Sequence, residues 1–188
     1  IMAVGAPSRF PLDPVAGVRL GTARAGIRKA GRRDLVVLEL APGTHVAGAF
    51  TRNAFCAAPV SVARAHLEAC AAQPRYLLVN TGNANAGTGE QGMRAALDAC
   101  SALAELAGVP ANAVLPFSTG VIGEQLPVER LVAGLPASLA ALDADGWDLA
   151  AEGIMTTDTR PKGASRRMVL DGAPLTITGI AKIGRAHV

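Results

Sequence analysis

The sequence predicts a mixed α/β layer fold, α and β elements stacked in layers, and three observations carry that expectation. Leu35-Val36-Val37-Leu38-Glu39-Leu40 is an apolar run broken only by Glu39, as in a strand buried on both faces. Between Gly89 and Ala107, the side chains Met93, Ala96, Leu97, Cys100, Leu103, Ala104 and Ala107 recur at three- and four-residue spacing, which marks one buried helix face. Around them, short apolar runs alternate with helical segments in the order β-β-β-α-β-α-β-α-α-β-β.

Residues 1–17, rich in proline and glycine, read as an extended lead-in. Strands follow over 20–27 and 35–40, and a third over 46–51 after the turn Ala41-Pro42-Gly43. Pro59 suits a first helical turn, so a helix is expected over 60–72. Tyr76-Leu77-Leu78-Val79 is a short strand that enters a glycine-rich loop, 80–92. The helix over 89–107 stops at Gly108, a C-cap with Pro110 just beyond. Residues 114–117 form another short strand, which runs into a second glycine turn, 118–123. Residues 127–142 and 147–154 read as helices. Residues 169–170 and 175–181 read as a hairpin with Asp171-Gly172 in its turn.

The chain has 188 residues, enough for one domain or part of a larger one, and half of it is hydrophobic. The net charge is +3, with basic residues gathered at 24–33. A basic edge can meet nucleic acid, but the chain lacks the aromatics that stack on bases, so a solvated face and no nucleic-acid partner are expected. No N-terminal apolar h-region and no run long enough to cross a membrane are present, which predicts a cytoplasmic protein with no membrane partner. Cys56, Cys70 and Cys100 are odd in number, lack a C-x-x-C and sit among apolar neighbours, as reduced core thiols do. His45 and His66 show no metal-ligand spacing. Neither a metal nor a bound cofactor is expected.

The most informative stretch is 80–92, Asn-Thr-Gly-Asn-Ala-Asn-Ala-Gly-Thr-Gly-Glu-Gln-Gly, set where proteins often hold ligands. Gly87, Gly89 and Gly92 make a formal G-x-G-x-x-G. A dinucleotide fingerprint needs its first glycine directly after the strand, whereas Gly87 lies eight residues beyond Val79. Glu90 would set a carboxylate against the pyrophosphate. The acidic residue due about 20 positions on, Glu105, falls mid-helix. Read as a P-loop from Gly82, the segment has Thr88 where lysine is required. A structural turn with asparagines bonding local backbone is the stronger reading.

Small polar residues also gather at 118–123 and 155–163. Met155-Thr156-Thr157-Asp158-Thr159-Arg160-Pro161-Lys162-Gly163 has more hydroxyls than a turn needs. Thr119-Gly120, after a buried strand, can present a hydroxyl and a backbone N–H to one point, the raw material of an oxyanion hole, although most such turns are structural. No Ser-His-Asp set is apparent, and neither G-x-S-x-G nor H-E-x-x-H occurs. The chain offers donors without a nucleophile and its base.

Five segments, in order, resemble the ornithine acetyltransferase family, the bifunctional glutamate N-acetyltransferases of arginine biosynthesis. They are Gly26-Ile27-Arg28-Lys29 with Arg33-Asp34-Leu35; Gly48-Ala49-Phe50-Thr51-Arg52-Asn53 with Cys56-Ala57-Ala58-Pro59-Val60; 80–89; Ser118-Thr119-Gly120-Val121-Ile122-Gly123; and 155–162. The likeness runs from about residue 18 to residue 182. Each motif is weak alone, and five in the right order are specific. The resemblance implies an ornithine acetyltransferase/DmpA-like layered sandwich, of which this chain is the α-chain part. It implies a precursor that cuts itself between an alanine and a threonine, the new N-terminal threonine of the β chain being the nucleophile. That threonine takes acetyl from N2-acetylornithine and passes it to glutamate through an acetyl-enzyme, and many members also use acetyl-CoA as co-substrate. The freed α-amine, with an ordinary pKa of about 7.7–8.0, can serve as base for its own hydroxyl. By resemblance, Thr119 and Gly120 form the oxyanion hole, and Thr156 and Lys182 bind substrate. Lysine suits an α-carboxylate, though alone Lys182 would read as a solvated strand-end residue. The implied protein partner is the β chain of the same precursor, in an α2β2 heterotetramer.

The pattern breaks after Ile180-Ala181-Lys182. There the family continues with a glycine-rich stretch, a proline-asparagine and the alanine-threonine pair, whereas this chain reads Ile183-Gly184-Arg185-Ala186-His187-Val188, which matches a translated sequencing adapter. The expected organisation is an α-chain region over 1–182 and a non-native tail over 183–188. The nucleophile and β chain are then absent, and no turnover by this chain alone is expected. Two other readings stay open. One is an autoprocessing aminopeptidase-like hydrolase of the same fold, against which the Thr-Thr-Asp-Thr-x-Pro-Lys string speaks. The other is a non-catalytic nucleotide-binding module built on residues 87–92.

Overall fold

A four-stranded sheet holds the molecule together: β1 (Val18–Ala23), β2 (Leu35–Leu40), β3 (Tyr76–Asn83) and β4 (Val114–Val121), neighbours in that order. Pairs β1–β2 and β2–β3 are antiparallel, and β3–β4 is parallel. The structure is a computed structural model that describes residues 12–182. The tail expected over 183–188, and residues 1–11 of the lead-in, lie outside the described residues.

The apolar run of β2 is buried on both faces, as its composition predicts. Leu35 and Val37 face one core with Leu78 of β3 and Val114 of β4. Helices α1 (Ala58–Ala69), α2 (Gly89–Ala107) and α3 (Val128–Ala140) close that core through Val62, Leu103, Leu131 and Leu135. Val36 faces the other way, with Leu20, against Trp147 and Ala150 of the short helix α4 (Trp147–Gly153). The result is helix, sheet and helix layers, the mixed α/β architecture expected.

Helix α2 has the bounds its periodicity predicts. It ends at Gly108, whose left-handed backbone lets its N–H reach the carbonyls of Ala104 and Glu105. Glu90 in its first turn complements the positive end of the helix dipole. Its buried stripe differs in detail: Ala95 and Ala99 are inside, while Leu97 is exposed. Small residues let α2 lie close against α1 and α3.

Four expectations are corrected. Residues 46–51 form no strand. Among the described residues they pair with no strand, and they are seated on α1, with the Arg64 guanidinium over the Phe50 ring. Strand β1 stops at Ala23 rather than running to 27, because the Asp34 carboxylate captures the N–H groups of Ala25 and Ile27 and peels the chain away. Strands β3 and β4 run on through their glycine turns, which continue the ladder as Asn80↔Ser118, Thr81↔Thr119 and Gly82↔Gly120. The remaining two strands, β5 (Gly163–Leu170) and β6 (Ala173–Ile180), form a separate hairpin. Its turn residues Asp171 and Gly172 both have positive φ, as a tight two-residue turn demands. This hairpin is longer than predicted because Ser165, Arg166 and Arg167 hide the strand signal.

Candidate functional site

Ligands gather outside the carboxyl ends of parallel strands. Strands β3 and β4 end side by side, and a cavity of about 360 Å³ opens there. Five segments far apart in sequence wall it. The loop after β1 gives Arg28, Lys29, Arg32 and Asp34; the strand ends give Thr81, Gly82, Gly120 and Val121; the segment after α4 gives Thr156 and Thr157; Lys182 follows β6.

The two paired glycines permit this convergence. Gly120 has φ +145°, and a Cβ there would lie 2.5 Å from Asn83 N and 2.6 Å from Gly82 O. Only a residue without a side chain lets β4 approach β3 so closely. Gly82, at φ +97°, faces the basic loop, and a Cβ there would lie 2.8 Å from Arg28 Cβ.

Each wall is fixed by a bond to backbone. Buried Asp34 accepts from Ala25 N and Ile27 N at 2.7 Å each, while its own carbonyl accepts from Thr81 N at 2.9 Å. This ties the basic loop to β3. Arg32 donates to the carbonyls of Met155 at 2.6 Å and Thr156 at 3.1 Å, which draws the threonine segment against that loop. Asp158, whose side chain is 1% exposed, accepts from Thr156 N and from Lys162 Nζ, the latter at 2.6 Å. Burial pushes its carboxyl up, but the Lys162 hydrogen bond, the Thr156 N–H and the ammonium charge outweigh it and hold the group below its ordinary value. Lys162 O then accepts from Ala181 N at 3.0 Å, which brings Lys182 to the same cavity.

The loop over 80–92 is filled by its own side chains and clipped to the end of β4. Ser118 Oγ donates to Asn80 Oδ1, and Asn83 Nδ2 donates to the carbonyls of Glu124 and Gln125. Fully buried Asn85 donates to Gly92 O and accepts from Thr88 Oγ1. Local backbone bonding by the asparagines is therefore what the segment does.

Of the residues singled out by sequence, Gly120, Thr156 and Lys182 share the cavity. Thr119 lies in β4 opposite Thr81, one residue before Gly120, and does not line it. The basic run at 24–33, expected to be a solvated face, instead supplies three of the cavity's cations. The signal that could have found them was position: the run connects two strands and carries a buried aspartate at its end.

Four cations and one carboxylate give the cavity an anion-binding character. Two of the cations are engaged: Arg28 pairs with Glu124 at 2.7 Å, and Arg32 holds the two carbonyls. Asp34 is occupied by backbone. Lys29 and Lys182 have no hydrogen-bond or ion-pair partner among the described residues.

The three thiols are free, as expected, but only one of them sits in the core. Cys100 is buried, and burial pushes its thiol up to about 12, while Cys56 and Cys70 are only partly buried. Among the described residues, no group of three or more His, Cys, Asp or Glu could hold a metal. No helix there is long and apolar enough to cross a membrane.

Residues 19–185 match the ArgJ family. The chain is 57% identical over 181 residues to the arginine biosynthesis bifunctional protein ArgJ of Pseudomonas syringae pv. tomato, covering 96% of this chain and 44% of that protein. It is 56% identical to the protein of the same name from Methylococcus capsulatus, covering 93% of this chain and 42% of that one. The chain thus spans less than half the length of these curated relatives. Among solved structures it resembles the arginine biosynthesis bifunctional protein ArgJ of Bacillus halodurans, with a TM-score of 0.82, 30% identity, and coverage of 92% of this chain and 90% of that one. It also resembles the ornithine acetyltransferase of Mycobacterium tuberculosis complexed with ornithine, with a TM-score of 0.81, 31% identity, and coverage of 93% and 92%.

Proposed function

The chain belongs to the ArgJ family, and we propose that it is the α-chain part of an acyltransferase of arginine biosynthesis that moves acetyl from N2-acetylornithine to glutamate. One observation carries this reading: Gly120, Thr156 and Lys182 converge on a cation-rich cavity at the ends of β3 and β4. Both substrates are amino acids with an α-carboxylate, which the Lys182 ammonium suits.

In this reading the nucleophile is an N-terminal threonine of a β chain released from the same precursor. Its hydroxyl attacks the acetyl carbonyl while its α-amine takes the proton. The developing oxyanion is met by a donor at Gly120, which lines the cavity, and by one at Thr119, which lies next to it in β4 behind the cavity wall. The α-ammonium returns that proton to the departing nitrogen of ornithine, and the amine of glutamate then attacks the acetyl-threonine, releasing N-acetylglutamate and the free threonine hydroxyl, which regains a proton. The lengths of the relatives support the split: the curated proteins are more than twice as long as this chain, yet the solved chains match it nearly end to end. An α2β2 assembly and a cytoplasmic location go with this reading.

The test is a coupled assay on the full reading frame, with mass spectrometry for two chains. Transfer of acetyl from N2-acetylornithine to glutamate, an N-terminal threonine on the second chain and no turnover by the 188-residue chain are expected. Turnover by this chain alone, or an uncut active protein, would overturn the assignment. Replacing N2-acetylornithine by acetyl-CoA in the same assay reports whether the enzyme is bifunctional.

A further inference from the structure

Two ammonium groups on one cavity, Lys29 and Lys182, have no partner among the described residues, while every other charge that lines it is engaged. One α-carboxylate needs one of them. A second uncompensated cation beside it fits a ligand with a second negative charge. Of the two amino acids in the proposed reaction, glutamate brings a side-chain carboxylate, and ornithine an ammonium that this cavity repels.

We propose that Lys29 reads the side-chain carboxylate of the acceptor and so sets the preference for glutamate. The inference rests on the acetyl-transfer reading above. To take this part Arg28 would have to give up its ion pair with Glu124, and Arg32 would have to release Met155 and Thr156. Lys29 is exposed and bonded to nothing among the described residues, so its removal leaves the fold alone. The donor's side-chain ammonium would then lie away from this loop, and the two substrates would share Lys182 but diverge beyond it.

The experiment measures the two half-reactions of the full-length enzyme separately, for wild type, Lys29→Gln, Lys29→Glu and Lys29→Arg. Loss of a charge-assisted hydrogen bond should raise KM for glutamate roughly tenfold or more in Lys29→Gln. The rise should be larger in Lys29→Glu and restored in Lys29→Arg, with KM for N2-acetylornithine unchanged throughout. Preference for glutamate over glutamine as acceptor should fall in parallel. Equal rises for both substrates, no rise, or a rise for acetyl-CoA alone would overturn the proposal; the last would make Lys29 a phosphate contact. If the wild type moves no acetyl group, the acetyl-transfer reading fails by itself. Calorimetric titration of wild type and Lys29→Gln with glutamate and glutamine then still decides. Tighter binding of glutamate that Lys29→Gln abolishes supports the charge reading, and equal binding sinks it.

Discussion

Substituting alanine at Gly120 tests whether the close approach of β3 and β4 builds the site. A Cβ at 120 would meet backbone, 2.5 Å from Asn83 N and 2.6 Å from Gly82 O, and backbone of a paired strand cannot rotate aside. The left-handed φ of +145° adds strain of about 1–3 kcal/mol. Forcing the strands apart adds about 1–3 kcal/mol more, as overpacking does. The sum is a loss of about 2–6 kcal/mol of unfolding free energy, read from urea titrations followed by circular dichroism. Gly172→Ala is the control, since Gly172 also has positive φ (+82°) but an added Cβ meets nothing within 4 Å. It should lose only about 1 kcal/mol. If Gly120→Ala is no worse than Gly172→Ala, steric approach is not what fixes glycine there.

Three further outcomes follow from the same geometry. Arg32→Ala should destabilise by about 2 kcal/mol, through loss of two charged hydrogen bonds to carbonyls, and open 155–162 to limited proteolysis; Lys182→Ala should do neither, and identical behaviour would contradict the assigned roles. Asp158 titrates below its unfolded value of about 3.9, so its stabilisation is full above that pH and is lost as pH falls through the lower native value. The stability gap between wild type and Asp158→Asn should therefore be flat at neutral pH and shrink below about pH 4, whereas a gap independent of pH would exclude the charge as its source. At pH 8, maleimide should label Cys56 and Cys70 in the native protein and Cys100 only after unfolding, with rapid native labelling of Cys100 as the contrary result.

Legibility in the sequence followed burial. The strand Leu35–Leu40 and the helix Gly89–Ala107 were readable because their apolar spacing is imposed by the core they face. Residues 46–51 misled because alternation of small and apolar residues fits a strand, yet a strand needs a neighbour to bond, and that is a tertiary fact. The polar continuations of β3 and β4 were hidden for the opposite reason: Asn80-Thr81-Gly82 and Ser118-Thr119-Gly120 have turn composition but pair as ladder. At the site, Gly120 and the threonine segment around Thr156 were visible in the residues themselves, whereas Lys182 and the substrate-binding role of Thr156 came through the resemblance to a family. Arg28, Lys29 and Arg32 were passed over because a run of basic residues carries no periodicity that says which side of it meets solvent.

The way the walls are tied explains why that was so. Asp34 bonds to two N–H groups, Arg32 to two carbonyls, and Lys162 joins Thr156 to Lys182 through Asp158 and its own carbonyl. Apart from the Lys162–Asp158 ion pair, each of these contacts has main chain on one side, and main chain has no sequence signature. Charged side chains that fix backbone leave their own charge neutralised or directed away from the cavity. The residues that remain free to meet an anion are then those with no structural duty, Lys29 and Lys182. In this site, absence of a partner among the described residues separates the groups that can bind from the groups that build.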